Sequence, residues 1–184
     1  LRRQRQMCIR DRRKREEGRV HLDGFLSYPS AVYTVPYGVM VPKEVGNLLL
    51  PVPVSGSHIG FSTLRMEPCW MAMGQAAGIA SALSIDGKVK VQNIDLSRLQ
   101  DKLVDQKATL MYFKDVDYTS PHFRMVQYLG LRGYLPEWTA RLQEPVDMAT
   151  LTAWKKLSGK DLPGIEAGKT TRLVALEMIY RKIK

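Results

Sequence analysis

The sequence predicts an α/β body followed by a small, mainly helical module. Three patterns support this fold class. Residues 33–54 contain apolar extended segments broken by prolines, residues 67–84 can form one helix with a side of small residues, and the last third contains three amphipathic helices. A hydrophobic content of 45% over 184 residues is enough to bury one core and a small second one.

The stretch from residue 20 to residue 54 has the pattern of strands separated by turns. Apolar and aromatic residues alternate at positions 33, 35, 37, 39 and 41, and two prolines interrupt them, which predicts an edge or connecting strand. Residues 47–54 (Asn-Leu-Leu-Leu-Pro-Val-Pro-Val) predict a strand buried on both faces at the end of a sheet. Residues 55–63 are rich in serine and glycine, which predicts a loop that allows close backbone approach.

A helix is predicted to begin near Glu67, because Pro68 suits a first helical turn and no other proline follows before Ser84. Gly74, Gly78 and the alanines beside them make one side of this helix small. Each internal glycine costs about 1 kcal/mol relative to alanine. We therefore expect another backbone or a ligand to lie against this side, although ordinary packing of a helix on a sheet is an alternative.

Four further helices follow. Asp95 can cap the first, and the other three are predicted after Ser120, after Asp147 and after Thr170 or Thr171. Their predicted buried faces consist, in chain order, of Leu96, Leu99, Leu103 and Val104; Phe123, Val126 and Leu129; Leu151, Trp154 and Leu157; and Leu173, Val174, Leu176, Ile179 and Tyr180. We place the body at residues 20–110 and the helical module at residues 111–184.

The formal net charge of +10 is concentrated in residues 1–19, which hold nine Lys or Arg against three acids. This segment resembles a translated sequencing adapter and lacks apolar periodicity, so we interpret it as a tail that is not native. A basic arm that contacts phosphates is the alternative. No aromatic interleaving or motif accompanies the charges, and we expect no nucleic-acid partner.

Two cysteines, Cys8 and Cys69, provide neither a disulfide framework nor a metal-ligand spacing, so no metal site is predicted. An iron–sulfur cluster needs about four cysteine thiolates, so we expect that this chain alone holds none. No run of about 18 apolar residues could span a bilayer, and the sequence leaves the compartment open.

Five motifs occur in a fixed order: Tyr33-Thr-Val-Pro-Tyr-Gly-Val-Met-Val-Pro42, Asn47-Leu-Leu-Leu50, Ser57-His58, Leu64-Arg-Met-Glu-Pro68 and Gly74-Gln-Ala-Ala-Gly78. Together they resemble the end of the FAD-dependent oxidoreductase family of bacterial-type flavoproteins, which is related in fold to the flavoprotein subunit of heterodisulfide reductase. The resemblance implies the C-terminal fragment of a FAD/NAD(P)-binding Rossmann-type domain, FAD as cofactor and a small-molecule substrate. It also implies that a missing N-terminal portion of the polypeptide completes the enzyme, so this chain alone would be inactive. Some relatives bind a 4Fe-4S cluster, whose ligand set is absent here.

The same resemblance implies that the strand at 47–54 and the turn at 62–68 face the pyrimidine edge of the flavin. It assigns backbone contacts with the flavin to Leu64, Arg65 and Met66, and close packing to Gly74 and Gly78. The Arg65 side chain would add positive charge, or would instead form a surface salt bridge or fix the loop.

Three other side chains in this region have two interpretations each. His58 is a candidate for transferring a substrate proton, or it has a structural hydrogen-bonding role. Cys69 is either an activated thiolate or an inert buried thiol, and Trp70 is a core residue rather than a cofactor contact.

Two departures from the family pattern concern the diphosphate of FAD. Val52, Pro53 and Val54 occupy the place where many members have a Gly-Arg pair, and no G-x-G-x-x-G motif follows a strand anywhere in the sequence. We therefore expect that this chain does not bind FAD tightly by itself.

The last third also resembles an S-layer homology module, through Phe113-Lys-Asp-Val116, residues 121–133 and a helix near Thr171. This resemblance leaves two alternatives for the module. It is a helical cap on the enzyme, or the whole chain is a non-catalytic binding or attachment protein with a degenerate remnant of a flavin domain.

Overall fold

The computed structural model of the chain describes residues 5–9, 25–29 and 32–184. It divides into two compact units, Leu1–Leu99 and Gln100–Lys184. Among the described residues, no helix combines the length and the apolar character needed to cross a membrane.

The first unit contains two strands and several helices. Strands β1 (Arg5–Ile9) and β2 (Phe25–Pro29) pair antiparallel. They are followed by a 3-10 turn at Tyr37–Met40, helix α1 (His58–Leu64), helix α2 (Glu67–Gly87), a second 3-10 turn at Val91–Asn93 and helix α3 (Leu96–Asp105), which contains the division between the units.

The predicted α/β fold of Rossmann type is wrong for the part of the chain that the structure describes. Residues 32–184 form helices, turns and irregular backbone, and the β1–β2 pair is the sole sheet of the described residues. A Rossmann-type sheet requires parallel strands joined by helical crossovers, and no parallel pair is present in this part of the chain.

The two segments predicted as strands are irregular because they lack a continuous hydrogen-bonding ladder. The amide of Leu50 donates to Met40 O at 2.8 Å and that of Ser55 donates to Val39 O at 2.8 Å, so single bonds tie residues 39–40 to residues 50–55. Pro51 and Pro53 have no N–H to extend this pairing. The expected alternating strand instead tightens into the 3-10 turn at 37–40.

The predicted loop at 55–63 is also wrong, since α1 occupies most of it. The Ser57 hydroxyl accepts a hydrogen bond from the Gly60 amide at 3.0 Å, which caps the first turn of this helix. Small residues are typical of loops, whereas Ser57 caps a helix here.

Helix α2 begins at Glu67 with Pro68 in its first turn, which confirms the prediction from the sequence. Its buried side consists of Met73, Ala77, Ala80 and Leu83. The core of the first unit contains Met40, Val54, Leu64, Met73 and Ala77, so α1, α2 and the irregular segment all contribute to it.

The second unit contains α4 (Phe123–Leu131), α5 (Met148–Ser158) and α6 (Arg172–Ile183) around one core. Asp147 caps α5 and Thr171 caps α6, as predicted. The core residues are Phe113, Val116, Met125, Val126, Leu129, Tyr134, Leu135, Ala140, Leu142, Val146, Leu151, Trp154, Leu162, Ile165, Ala175, Leu176 and Ile179.

Three residues predicted to face the core lie on the surface instead. Leu96, Leu157 and Val174 are 48%, 50% and 47% exposed. Each occupies the first or last turn of its helix, where the buried stripe has not begun or has already turned away from the core.

Polar side chains hold the loops of the second unit in place. The buried Gln127 accepts hydrogen bonds from the Leu110 and Met111 amides and donates one to Met111 O, all between 2.7 and 2.8 Å. The Asp115 carboxylate accepts from the amides of Ala140 and Arg141 at 2.8 and 2.7 Å. These contacts fix backbone segments that no helix or strand supports.

We expect the cap at the start of α5 to make the second unit sensitive to acid. The Thr150 hydroxyl and amide both donate to the Asp147 carboxylate, which lowers the pKa of Asp147 from 3.8. A lowered pKa in the folded state stabilises the fold above pH 3.8, and this stabilisation is lost as the pH falls through the folded pKa. Asp147→Asn should therefore lower the thermal midpoint at neutral pH, and its midpoint should approach that of the wild type in acid.

The thermal midpoint measured by circular dichroism over a pH series tests this expectation. Asp161→Asn is the matched control, because the Asp161 carboxylate accepts no hydrogen bond from a described residue. A difference between wild type and Asp147→Asn that stays constant with pH would contradict the assignment.

Candidate functional site

The candidate site lies where α1 ends and α2 begins. The Arg65 amide donates to Phe61 O at 3.0 Å, and Met66 O accepts from the amides of Cys69 and Trp70 at 2.9 and 3.1 Å. Leu64 is 8% exposed and belongs to the core of the first unit, so its side chain points away from solvent. The turn therefore presents Arg65 and Met66 outward.

The positive charge of this turn comes from Arg65. Its side chain is exposed and forms no ion pair with any described residue. The N-terminus of α2 adds less than a typical helix start, because Pro68 has no N–H and the Cys69 amide already donates to Met66 O. The exposed Glu67 carboxylate in the first turn reduces the local positive potential further.

One side of α2 is open among the described residues. A Cβ atom added at Gly74 or Gly78 would have no heavy atom within 4 Å. Met71 and Ile85 lie on the same side and are 75% and 76% exposed. The two glycines thus provide space beside an apolar stripe rather than packing against a neighbour in the first unit.

Tyr33, Thr63 and Cys69 form a small network at the base of the turn. The Tyr33 hydroxyl donates to Thr63 O at 3.2 Å, and the Cys69 Sγ lies 3.8 Å from both Tyr33 Oη and Thr63 O. Burial raises the pKa of Tyr33. Within this network the Cys69 thiol donates to a carbonyl, which is the contact expected for a structural thiol.

Among the described residues, the Nε1 of Trp70 is the one buried side-chain donor without a hydrogen-bond acceptor. The sequence favours a core role for Trp70 over a cofactor contact, and it does not single out the hydroxyl of Tyr33. Tryptophan and tyrosine side chains each have a polar group that needs a hydrogen-bond partner when it is buried. This general rule is the signal by which the sequence could have pointed to Trp70 and Tyr33.

The predicted proton-transfer residue cannot be located beyond its backbone. His58 is the first residue of α1, and its side chain lies outside the described part of the chain. The role of His58 stays a prediction. Within the described ranges, no group of three His, Cys, Asp or Glu residues could hold a metal ion.

A comparison with protein families gives a match to the first part of the chain. A family model described as FAD dependent oxidoreductase matches residues 10–103, which is slightly more than half of the chain. No curated protein and no solved structure matches the chain.

Proposed function

Because the chain belongs to the FAD dependent oxidoreductase family, we propose that the segment 47–54, the turn 64–68 and the first turns of α2 form the flavin-facing part of the cofactor site. The observation that carries the proposal is the exposed Arg65, unpaired among the described residues and followed on α2 by the open side at Gly74 and Gly78. The order of the motifs supports a relationship with the flavoprotein subunit of heterodisulfide reductase.

The described residues fit one end of FAD and not the other. The open glycine side gives a planar ring room to approach, and the exposed Arg65 guanidinium at the start of the turn is the available donor, whereas the Trp70 Nε1 is buried. The diphosphate has no matching cradle, because the sequence contains no G-x-G-x-x-G motif. We assign the diphosphate contacts to residues that this sequence does not contain.

FAD, when bound, supplies the transfer of electrons between a small-molecule substrate and an acceptor. Arg65 holds positive charge beside the pyrimidine edge, where it favours extra negative charge on the ring. Its amide already donates to Phe61 O, so Arg65 acts through its guanidinium. Backbone contacts at Leu64 and Met66 fall to groups other than Met66 O, which already accepts two amides. The apolar stripe of α2 excludes water from one face of the ring.

Titration of the full chain into riboflavin and into FAD, followed by flavin fluorescence, tests the proposal. We expect weak binding with similar affinity for both ligands, because the site contacts the ring and not the ADP part. Arg65→Gln should weaken binding by roughly threefold to tenfold, the effect of one partly solvated charged hydrogen bond. Gly78→Ala should leave the fold intact, since nothing lies near the added methyl group, and should weaken binding by filling the open side.

Arg98→Gln is the matched control, because it removes the same charge from an exposed position of the first unit. The proposal fails if the chain leaves the fluorescence of both ligands unchanged, or if Arg98→Gln weakens binding as much as Arg65→Gln does. A much higher affinity for FAD than for riboflavin would show that the chain binds the diphosphate, contrary to the assignment.

A second candidate function is attachment through the helical module, with a flavin domain that no longer binds its cofactor. The observation in its favour is that residues 100–184 form a compact unit with its own core. The resemblance of residues 111–184 to an S-layer homology module is a further argument for this second function. Failure of flavin binding in the titration above would favour it.

A further inference from the structure

One end of the second unit collects positive charge where three helices finish. We call it the basic end and define it by Arg132, Lys160, Lys182 and Lys184, with Tyr128 and Tyr180 between them. The ends of α5 and α6 meet here, because Lys160 Nζ donates to Lys182 O at 2.9 Å. The end of α4 joins them, since the Tyr128 and Tyr180 rings contact edge to face at 5.2 Å.

All but one of the acidic residues of this unit are committed elsewhere; the exception, Asp161, lies at the basic end, where its backbone carbonyl accepts a hydrogen bond from Lys182 Nζ at 3.1 Å. Residues 100–184 hold fourteen Lys or Arg and ten acids. Nine of the acids accept ion pairs or hydrogen bonds outside the basic end: Asp101, Asp105, Asp115, Asp117, Glu137, Glu144, Asp147, Glu166 and Glu177. Among the described residues, the four cations of the basic end form no ion pair.

The C-terminal ends of the three helices offset part of this positive charge but not all of it. The last carbonyls of a helix carry about half a negative charge, so three converging ends offset fewer than two of the four cations. Arg181, which is exposed in the last turn of α6, adds another positive charge. These five cations exceed the combined negative charge of Asp161 and the three helix ends, so the basic end keeps an uncompensated positive charge available to a partner.

We propose that the basic end docks on a bilayer surface containing anionic lipids. Three of its four cations are lysines, whose point charges impose no fixed geometry and suit a fluid array of phosphates better than the planar fork of arginine does. Arg132 is held against the protein, because its Nη1 donates to Tyr128 O at 3.1 Å and its guanidinium lies 3.4 Å from the Tyr128 ring. Each of the three lysines uses one N–H group inside the unit and has two others for phosphates.

The tyrosines favour a lipid surface over a nucleic acid. A nucleic acid would be expected to stack its bases on aromatic faces, but Arg132 covers a face of Tyr128. Lys184 Nζ donates to the Tyr180 hydroxyl at 3.0 Å. A tyrosine with an apolar ring and a hydrogen-bonded hydroxyl suits the depth of lipid headgroups. Leu157, half exposed in the last turn of α5, adds apolar surface.

Sedimentation of the full chain with lipid vesicles tests this docking. Two compositions are compared: phosphatidylcholine alone, and phosphatidylcholine in which about a third of the lipid is phosphatidylglycerol. We expect binding to the anionic vesicles at low salt and its loss at high salt. Lys160→Gln with Lys184→Gln should reduce the partition coefficient by roughly tenfold, with a thermal unfolding curve recorded to confirm the fold.

Lys102→Gln with Lys114→Gln is the matched control, because it removes two exposed lysines of the same unit outside the basic end. The basic residues 1–19 are present in every variant and cancel from the comparison. Three results would overturn the proposal: no binding of the wild type to anionic vesicles, equal loss in the control variant, or equal binding to neutral vesicles. A DNA duplex that binds the wild type more tightly than the vesicles do, and loses affinity in the first variant alone, would assign the basic end to nucleic acid instead.

Discussion

Replacing Gln127 with leucine is expected to lower the free energy of unfolding of the second unit by about 3 kcal/mol. Gln127 is fully buried, and its amide group makes three hydrogen bonds to the backbone of Leu110 and Met111. Leucine fills a similar volume but leaves two amides and one carbonyl without this partner. The loss of stability therefore comes from buried backbone groups that lack a hydrogen bond rather than from a cavity.

Urea unfolding followed by far-UV circular dichroism measures this cost. Gln143→Leu is the matched control, since Gln143 is exposed in the same unit and the identical substitution should change stability little. If both variants lose the same stability, the effect belongs to the substitution and not to the buried hydrogen bonds.

We expect Trp154→Ala to destabilise the second unit by about 3–5 kcal/mol, the usual cost of removing a buried aromatic side chain. Trp154 belongs to α5 and is 1% exposed. Its side chain packs in the core against the loop at residue 134. Its Nε1 donates to Tyr134 O at 2.8 Å, and the Arg172 guanidinium lies 5.3 Å from its ring.

Trp154→Phe separates the contributions to this cost. Phenylalanine keeps much of the packing but removes the donor to Tyr134 O, so we expect a smaller loss of about 1–3 kcal/mol from the unpaired carbonyl and reduced volume. Trp138→Ala provides the control, because Trp138 is 46% exposed. Urea unfolding by circular dichroism again gives the values. A Trp138→Ala loss as large as that of Trp154→Ala would contradict the role of burial.

The helices of this protein were predictable because their start signals are local. Pro68 at the start of α2, Asp147 before α5 and Thr171 before α6 each satisfy or replace amides within three residues of the helix start. Such interactions need no information about the rest of the chain. The same reasoning failed at Ser57, a capping serine that is followed by small residues, and at Ser120, because α4 begins only at Phe123 and has no side-chain cap.

The extended region was not predictable in the same way. Alternation at residues 33–41 describes how side chains would face if a strand formed, but a strand also needs a neighbour to receive its hydrogen bonds. In the structure, residues 39–40 meet residues 50–55 through single bonds, and prolines prevent further pairing. That outcome depends on partners distant in sequence, which periodicity does not reveal.

The position of the turn in the candidate site was predictable from the sequence. The contacts that the turn makes with residues distant in sequence were not. The motif Leu64-Arg-Met-Glu-Pro68 correctly marked the start of α2, whereas the helix that ends at Leu64 was predicted as a loop. The contact of the Tyr33 hydroxyl with Thr63 joins residues thirty positions apart. The unpaired Nε1 of Trp70 is likewise a property of its surroundings, and no sequence motif records it.

The polar contacts of the second unit also bear on how quickly it folds. Gln127 reaches back to residues 110 and 111, Asp115 to residues 140 and 141, Trp154 to residue 134 and Arg172 to Ala140. Each contact must close a long loop before it contributes, and loop closure is what slows folding in proteins of high contact order. These four contacts raise the sequence separation over which this helical unit must be closed, and we expect it to fold more slowly than a bundle of adjacent helices of the same length.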